Sequence, residues 1–394
     1  MAPGGVQGSS ALSRPAARKI GIDARAAAEV PAGRGRVVRE LLRALAARDD
    51  DGRSFLLYAR SRWEDVELPP ERFGWRLSRA GEVSWHPRAA HAANRECDVF
   101  LSSNSYVTGI FLRIPNVPIV YDLTTFEPAM RPKRRSVIVE RATLGLAARR
   151  ASRLLAISEA TAQALVARFP VAGGKTVVAP LGVAPELFAD PSPSELADLP
   201  AAGFVLAVGT LEPRKNLPRL VAAYSRLDEA TQARHPLVVV GPTGWQTGET
   251  LQALRSLGER CAVLGHVSDA ALGELYRRCE VFCYPSLGEG FGLPVLEAMS
   301  VGAVVVTSAI SSLPEVGGEA VEYVDPSSTD SIHAALERVL GDASLRAQLS
   351  TKAVARARGF SWERFGETVM ETLERAAAEG GRGRGGISPP ALGD

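Results

Sequence analysis

An apolar strand pattern runs directly into a glycine-rich loop and a helix start in the segment Val281-Phe-Cys-Tyr-Pro-Ser-Leu-Gly-Glu-Gly-Phe-Gly-Leu-Pro-Val-Leu-Glu297. The four residues before Pro285 carry no charge, which is typical of a parallel strand covered on both faces. Pro294 suits the first turn of a helix. Since ligands of open α/β sheets bind at the carboxyl ends of the strands, this segment predicts both an α/β fold and a ligand-binding loop.

The same alternation of strand and helix patterns extends along most of the chain. Strands are predicted at 19–24, 55–59, 98–102, 118–123, 154–157 and 176–179, and again at 204–208, 237–240, 262–264, 281–284, 303–307 and 321–324. Helices are predicted at 36–47, 137–150, 159–168, 216–227, 269–278, 294–301 and 329–340. Because the alternation occurs twice, we predict two Rossmann-like domains, each a doubly wound parallel sheet, that face a central cleft.

Composition sets the domain limits and excludes several classes of protein. The chain has 394 residues, 46% hydrophobic and 23% charged, with a net charge of +2, which is ordinary for a soluble globular protein and argues against a nucleic-acid partner. We expect a tail at 1–17, a first Rossmann-like domain at 18–188, a Pro- and Ser-rich linker at 189–200 and a second Rossmann-like domain at 201–361. A helix at 362–378 is expected to cross back to the first domain, before a second tail at 379–394.

The loop after the strand pattern at 204–208 carries two adjacent cations. Gly209 lets the backbone approach a ligand closely, and Arg214 and Lys215 follow it at the start of the next helical pattern. Cations and free backbone N–H groups together suit a phosphate or diphosphate. A solvated Arg-Lys pair on a surface turn is the other interpretation of these two residues.

Two glutamates stand eight residues apart in the glycine-rich segment. Glu289 lies in the loop and Glu297 about one turn inside the helix, so they can contact different parts of one long ligand. Carboxylates accept hydrogen bonds from vicinal hydroxyls such as those of ribose or a hexose. The other interpretation is a turn carboxylate followed by an exposed helix residue.

Three motifs, taken in order, resemble the family 4 retaining glycosyltransferases of GT-B fold. They are Gly209-Thr-Leu-Glu-Pro-Arg-Lys-Asn-Leu217, Gly288-Glu-Gly-Phe-Gly-Leu-Pro-Val-Leu-Glu-Ala-Met299 and Ser311-Ser-Leu-Pro-Glu-Val-Gly-Gly318. The resemblance extends from Gly21-Ile-Asp-Ala-Arg25 to Phe360-Ser-Trp-Glu363, and the first motif is similar to that of bacterial mannosyltransferases of surface-polysaccharide assembly. It implies a nucleotide-diphosphate sugar as co-substrate, with guanosine-diphosphate mannose as the first choice and thymidine- or uridine-diphosphate sugars still open. The resemblance also implies that the domain at 201–361 binds this donor and that the domain at 18–188 binds the acceptor. No metal or other cofactor is expected.

The resemblance also implies roles for individual residues in transfer of a hexose to a glycan, lipid-linked or small-molecule acceptor. Catalytic roles fall to Glu289, which contacts the transferred sugar, and to Lys215 and Arg214, which neutralise the diphosphate. Thr210 stands where some relatives carry a further arginine, and Tyr121 where many carry a histidine. The remaining donor-site residues are Gly209, Thr210, His266, Phe291, Gly292, Leu293 and Glu297, and the residues of the first domain that face the cleft are Gly33, Gly35, Tyr121 and Asp122.

A basic run in the first domain suggests a second kind of contact. Arg131, Lys133, Arg134 and Arg135 could bind a lipid-linked diphosphate or an anionic membrane surface, although a solvated helix start explains them equally simply. The sequence shows no secretory signal, and its four cysteines suit small buried thiols. We therefore expect a cytoplasmic protein, and a peripheral contact at the inner membrane face stays open.

Rival classes fit the sequence less well. A P-loop would need glycine where Phe169 stands, and a nicotinamide-binding fingerprint is missing after the first strand. A non-catalytic GT-B subunit, which binds a sugar or activates a partner in polysaccharide assembly, stays open because Tyr121 replaces the usual histidine. A nucleotide-sugar epimerase would need acid and base groups that the sequence does not place.

Overall fold

The structure is a computed structural model that describes residues 19–30, 33–49, 52–65, 67–126 and 134–384, with the helical backbone alone at 134–137 and 381–384. Its strands fall into two separate parallel sheets, one in each half of the chain. The prediction of two doubly wound parallel sheets is confirmed.

Seven strands of the described residues form the first sheet, in the order β3-β2-β1-β4-β5-β6-β7. All adjacent strands are parallel, and Gly21 at the centre lies between Leu56 and Phe100. The strands are β1 Lys19–Asp23, β2 Ser54–Ala59, β3 Phe73–Leu77, β4 Val99–Ser102, β5 Asn116–Val120, β6 Leu154–Ala156 and β7 Thr176–Val178.

In the described residues after position 200, six strands form the second sheet, in the order β10-β9-β8-β11-β12-β13. The two loops that carry Lys215 and Glu289 follow β8 and β11, which are neighbours at the middle of this sheet. The strands are β8 Val205–Val208, β9 Leu237–Val240, β10 Cys261–Gly265, β11 Val281–Tyr284, β12 Val305–Ser308 and β13 Glu322–Val324.

Helices cover both sheets. Serine side chains cap several of them, as where Ser158 and Ser268 accept hydrogen bonds from backbone N–H groups of the first turn. The helices of the first half are α1 Arg25–Glu29, α2 Arg34–Ala47, α3 Glu82–Glu96, α4 Val107–Phe111, α5 Arg134–Arg150 and α6 Glu159–Arg168. Those of the second half are α7 Pro193–Asp198, α8 Leu217–Tyr224, α9 Glu229–Arg234, α10 Gly248–Arg255, α11 Asp269–Arg278, α12 Leu293–Ser300, α13 Leu313–Gly317, α14 Thr329–Gly341, α15 Ala343–Ala357 and α16 Trp362–Arg384.

Every predicted strand and helix has a counterpart, but the sequence patterns missed β3 and several helices, of which α3 and α15 are the longest. β3 is an edge strand whose residues become exposed toward Leu77, so it has no continuous apolar run to reveal it. α3 contains Pro87 in its interior, and proline normally argues against a helix. Both elements depend on packing against neighbours more than on their own sequence.

The last helix joins the two halves of the molecule. α16 starts at Trp362 and packs on α2, β4 and β5 of the first half. Its buried side chains recur at helical spacing, at Phe365, Val369, Leu373 and Ala376. The helix continues to Arg384, past the expected end at 378. The expected linker at 189–200 is partly helical: it contains α7, which begins with a capping box formed by Ser192 and Glu195.

Candidate active site

The carboxylate of Glu289 is the centre of a buried cluster at the carboxyl ends of β8 and β11. Its Oε1 atom accepts hydrogen bonds from Lys215 Nζ, Tyr284 Oη and Ser286 Oγ, each at 2.7 Å. Oε2 pairs with the guanidinium of Arg214. The side chains of Glu289 and Lys215 are only 9% and 10% exposed. The two loops predicted to bind a ligand are therefore joined directly to each other.

Charges in this cluster control its protonation. Burial alone would raise the pKa of Glu289, but the adjacent Lys215 and Arg214 cations outweigh it and lower that pKa to about 2. Burial lowers the pKa of Lys215, while Glu289 acts in the opposite direction. Arg214 also pairs with Glu212 at 2.7 Å. The cluster therefore contains two cations and two carboxylates, whose formal charges cancel.

Gly209 provides the space through which Lys215 reaches the cluster. Its φ of +136° is in the region that favours glycine, and a Cβ atom there would lie 3.0 Å from Cε of Lys215. Any side chain at position 209 would therefore both strain the backbone and push the lysine aside. Thr210, the next residue, is half-buried close to Gly244.

Glu297 forms a second charged cluster, which spans the two domains. Its Oε1 pairs with Arg36 of α2, and its Oε2 accepts a hydrogen bond from Tyr276 Oη at 3.4 Å. The other terminal nitrogen of Arg36 pairs with Asp269, the first residue of α11. Burial raises the pKa of Glu297, against the opposing effect of Arg36. The expectation of an exposed helix residue does not apply, because Glu297 is 4% exposed.

The start of α12 lies between these two glutamates. Gly292 precedes the helix and Leu293 is its first residue. Phe291 is buried and packs edge-on against Phe360, with ring centroids 5.9 Å apart. A ligand at the N-terminus of α12 would therefore meet the backbone of this turn and not the side chain of Phe291.

The first domain meets this loop at Tyr121 and Asp122. A Cβ atom on Gly290 would lie 1.9 Å from the carbonyl oxygen of Tyr121, so only glycine permits this contact. Tyr121 is buried, and its hydroxyl donates to the carbonyl of Ser103 at 2.6 Å, inside its own domain. Asp122 accepts hydrogen bonds from Thr124. The tyrosine hydroxyl therefore points away from the cleft.

Polar contacts across the cleft continue at the start of α6. The carboxylate of Glu315 accepts from the backbone N–H groups of Glu159 at 2.7 Å and Ala160 at 2.5 Å. Ser158 Oγ donates to the carbonyl of Gly290 at 2.7 Å. An anionic side chain from the second domain thus caps a helix of the first, where the helix dipole favours negative charge.

The other predicted site residues lie around these clusters. Gly33 is the residue before α2, and Gly35 is buried in its first turn against Val30. His266 follows β10, the edge strand two positions from β8, so it lies at the same sheet edge but outside the glutamate cluster. Arg131 and Lys133, and the side chains of Arg134 and Arg135, lie outside the described residues.

Several members of the clusters were not predicted from the sequence. Tyr284, Ser286 and Glu212 belong to the quoted motifs, and their polarity beside the glycines was a usable signal. Arg36 and Asp269 are far apart in sequence, so only the packing of the two domains reveals their contact with Glu297. Within the described residues, no group of three or more His, Cys, Asp or Glu side chains is placed to hold a metal ion.

Two family models match the two halves of the chain. One, described as Glycosyltransferase Family 4, matches residues 31–187, and the other, described as Glycosyl transferases group 1, matches residues 199–356. Together the two matches include both glutamate clusters, the whole second sheet and the first sheet except β1. Glycosyltransferase family models thus match both halves of the chain, in agreement with the resemblance to family 4.

Two mannosyltransferases are similar in sequence to parts of this chain. The chain is 44% identical over 164 residues to the O-antigen chain mannosyltransferase B of Escherichia coli, an alignment that covers 41% of this chain and 43% of that protein. It is 36% identical over 178 residues to the serotype-specific mannosyltransferase WbdA of Escherichia coli, covering 44% of this chain and 22% of the relative. The alignments thus span less than half the length of these relatives.

A solved structure shares the fold across nearly the whole chain. The sucrose-phosphate synthase from Thermosynechococcus elongatus superposes with a TM-score of 0.73 at 22% identity, covering 92% of this chain and all of the other. The two Rossmann-like domains are therefore a GT-B fold, as predicted. Among the described helices, none is long and apolar enough to cross a membrane.

Proposed function

We propose that this protein transfers a hexose, with mannose as the first choice, from a nucleotide-diphosphate sugar to a glycan, lipid-linked or small-molecule acceptor. The observation that carries the proposal is the position of Glu289 between Lys215 and Arg214, beside the start of α12. Guanosine-diphosphate mannose is the proposed donor, since relatives that match parts of the chain are named mannosyltransferases.

The charges of the Glu289 cluster suit the departure of a diphosphate. Breaking the bond between the anomeric carbon and the diphosphate oxygen leaves positive charge on the sugar and negative charge on the leaving group. Lys215 and Arg214 are held in place before the donor arrives, so they stabilise the leaving group without costly rearrangement. This arrangement supports a reaction that needs no metal ion.

The two glutamates can hold the sugars on either side of that diphosphate. Glu289 stays ionised throughout the physiological range because its pKa is about 2, so it can accept hydrogen bonds from the transferred hexose. Glu297 would accept from the ribose hydroxyls. The family resemblance supports retention of configuration at the anomeric carbon.

An acceptor would approach from the first domain. The Tyr121 hydroxyl is committed to Ser103, so Asp122 and the start of α2, after Gly33, are the polar groups left to meet it there. Tyr121 transfers no proton to or from the acceptor, because burial raises the pKa of its hydroxyl.

A peripheral membrane contact is the second part of the proposal. Ile138 and Val139 of α5 are 66% and 52% exposed, and Phe111 of α4, which packs against α5, is 45% exposed. Ile138 and Val139 follow the run Arg131, Lys133, Arg134 and Arg135 in sequence, and basic and apolar groups together favour anionic lipid. Flotation with phosphatidylglycerol vesicles should fall for the variant I138S/V139S but not for V83S, which removes an apolar side chain 89% exposed elsewhere.

The experiment that tests the transferase is donor turnover by purified protein. GDP-mannose, UDP-glucose and dTDP-glucose are compared by nucleotide release, with and without EDTA, and the anomeric configuration of the product is read by NMR. We expect turnover of GDP-mannose that EDTA leaves unchanged, with retention. Nucleotide binding without any turnover would instead indicate the non-catalytic GT-B subunit, and binding of no nucleotide would refute the proposal.

A further inference from the structure

Each carboxylate oxygen of Glu297 accepts a hydrogen bond from the protein itself. One accepts from Arg36 and the other from Tyr276. The Arg36 guanidinium is 13% exposed and binds Asp269 with its second terminal nitrogen. Arg36 thus pairs with two carboxylates, and it takes up one of the two oxygens with which Glu297 could bind the vicinal hydroxyls of a ribose.

The pair also joins the two domains. Arg36 belongs to α2 of the first domain, whereas Glu297 and Asp269 belong to α12 and α11 of the second. A ligand that takes Glu297 from Arg36 therefore breaks a buried ion pair across the cleft. Removing one partner of such a pair leaves the other charge uncompensated, so the exchange has a cost that the ligand must meet.

We infer that Arg36 is a latch: while it pairs with Glu297 it occupies the ribose position, and it must release Glu297 before a nucleotide can bind there. This inference rests on the proposed function, which gives Glu297 the ribose. Arg36 then opposes donor binding instead of assisting it. It restrains the domains until the correct ligand displaces it, and it acts on the donor through Glu297.

A direct role for Arg36 on the diphosphate would predict the opposite effect. The cations nearest the proposed diphosphate position are Arg214 and Lys215, which cluster on Glu289 after β8 and β11. Arg36 pairs instead with Glu297, eight residues farther along the chain, and with Asp269. The two models are separable because a diphosphate contact strengthens binding and a latch weakens it.

The test compares binding of GDP to wild-type protein, R36Q and D269N by calorimetry at pH 8. The latch predicts that R36Q binds GDP about fivefold or more tightly than wild type, which is the low end of typical coupling between states. D269N should shift affinity in the same direction by less. R36Q already removes the Arg36–Asp269 pair that D269N disturbs. The double variant R36Q/D269N should therefore bind GDP no more tightly than R36Q. R226Q, which removes an exposed arginine–aspartate pair with Asp330, is the matched control.

Binding of inorganic pyrophosphate distinguishes a latch on Glu297 from a direct contact between Arg36 and the diphosphate. The affinity for pyrophosphate should not change in R36Q if Arg36 acts only at the ribose position. Weaker binding of GDP and pyrophosphate in R36Q would overturn the latch, as would GDP affinity equal to that of wild type. If wild-type protein binds none of GDP, UDP and dTDP, the proposed function fails. The ligand-free radius of gyration from small-angle X-ray scattering then decides on the latch: a larger value in R36Q supports it and an unchanged value overturns it.

Discussion

The Nζ atom of Lys215 lies 2.7 Å from Oε1 of Glu289, which joins the loops after the two central strands of the second sheet. The ammonium group also lies 4.7 Å from the centre of the Tyr284 ring. A cation placed this firmly costs nothing to orient during a reaction.

Replacing Lys215 by alanine should slow turnover more than it weakens donor binding. A fixed cation contributes most where negative charge develops on the leaving diphosphate, so we expect kcat to fall about 100- to 1,000-fold. Steady-state release of GDP from GDP-mannose measures kcat and KM separately. The exposed residue Lys352 provides the control K352A. If K215A turns over the donor as fast as wild type, Lys215 is not a catalytic residue.

Replacing Glu297 by glutamine should weaken donor binding. The charged acceptor for the ribose hydroxyls is lost, and hydrogen bonds to charged groups are among the stronger ones, so we expect about a tenfold rise in Kd. Weaker pairing with Arg36 offsets part of this loss. Calorimetry with GDP measures the effect, and E319Q, at an exposed site, is the control. Unchanged affinity in E297Q would contradict the assignment of the ribose.

Replacing Glu315 by glutamine should make domain closure less favourable. The carboxylate caps α6 from the other domain, and a charge at a helix N-terminus contributes about 1 kcal/mol, or about a fivefold effect on closure. We expect KM for the donor to rise with little change in thermal stability. A large fall in the melting temperature without a change in KM would show that Glu315 only supports the fold.

Glu40 should make stability depend on pH. Burial raises its pKa to about 7, in spite of the nearby Arg43, from an ordinary value of 4.5. The folded state therefore keeps a proton that the unfolded state loses, and the stability of the folded state falls as the pH rises from about 4.5 to 7. E40Q removes this effect, so its stability relative to wild type should increase by about 3 kcal/mol between pH 4.5 and pH 8.

Urea unfolding at the two pH values measures this difference. E337Q, at an exposed position of α14, should show no comparable change. A constant difference between E40Q and wild type at both pH values would mean that Glu40 titrates normally in the folded protein.

The parallel sheets and the loops that carry Lys215 and Glu289 could be predicted because their signals are local. Continuous apolar runs such as Leu237–Val240 identify strands buried on both faces, and glycines beside charged residues identify the loops that follow. Elements that lack such a signal were missed. β3 lies at a sheet edge and α3 contains Pro87, so their structure depends on neighbours that no sequence window contains.

The sequence by itself determined the two-domain α/β architecture and the loops that carry Lys215 and Glu289, because hydrophobic periodicity and glycine placement act over a few residues. Only the tertiary structure decided that Glu289 binds both cations, that the Tyr121 hydroxyl turns inward to Ser103, and that Arg36 reaches Glu297 across the cleft. These contacts join residues up to 261 positions apart, and they depend on how two separately folded sheets meet.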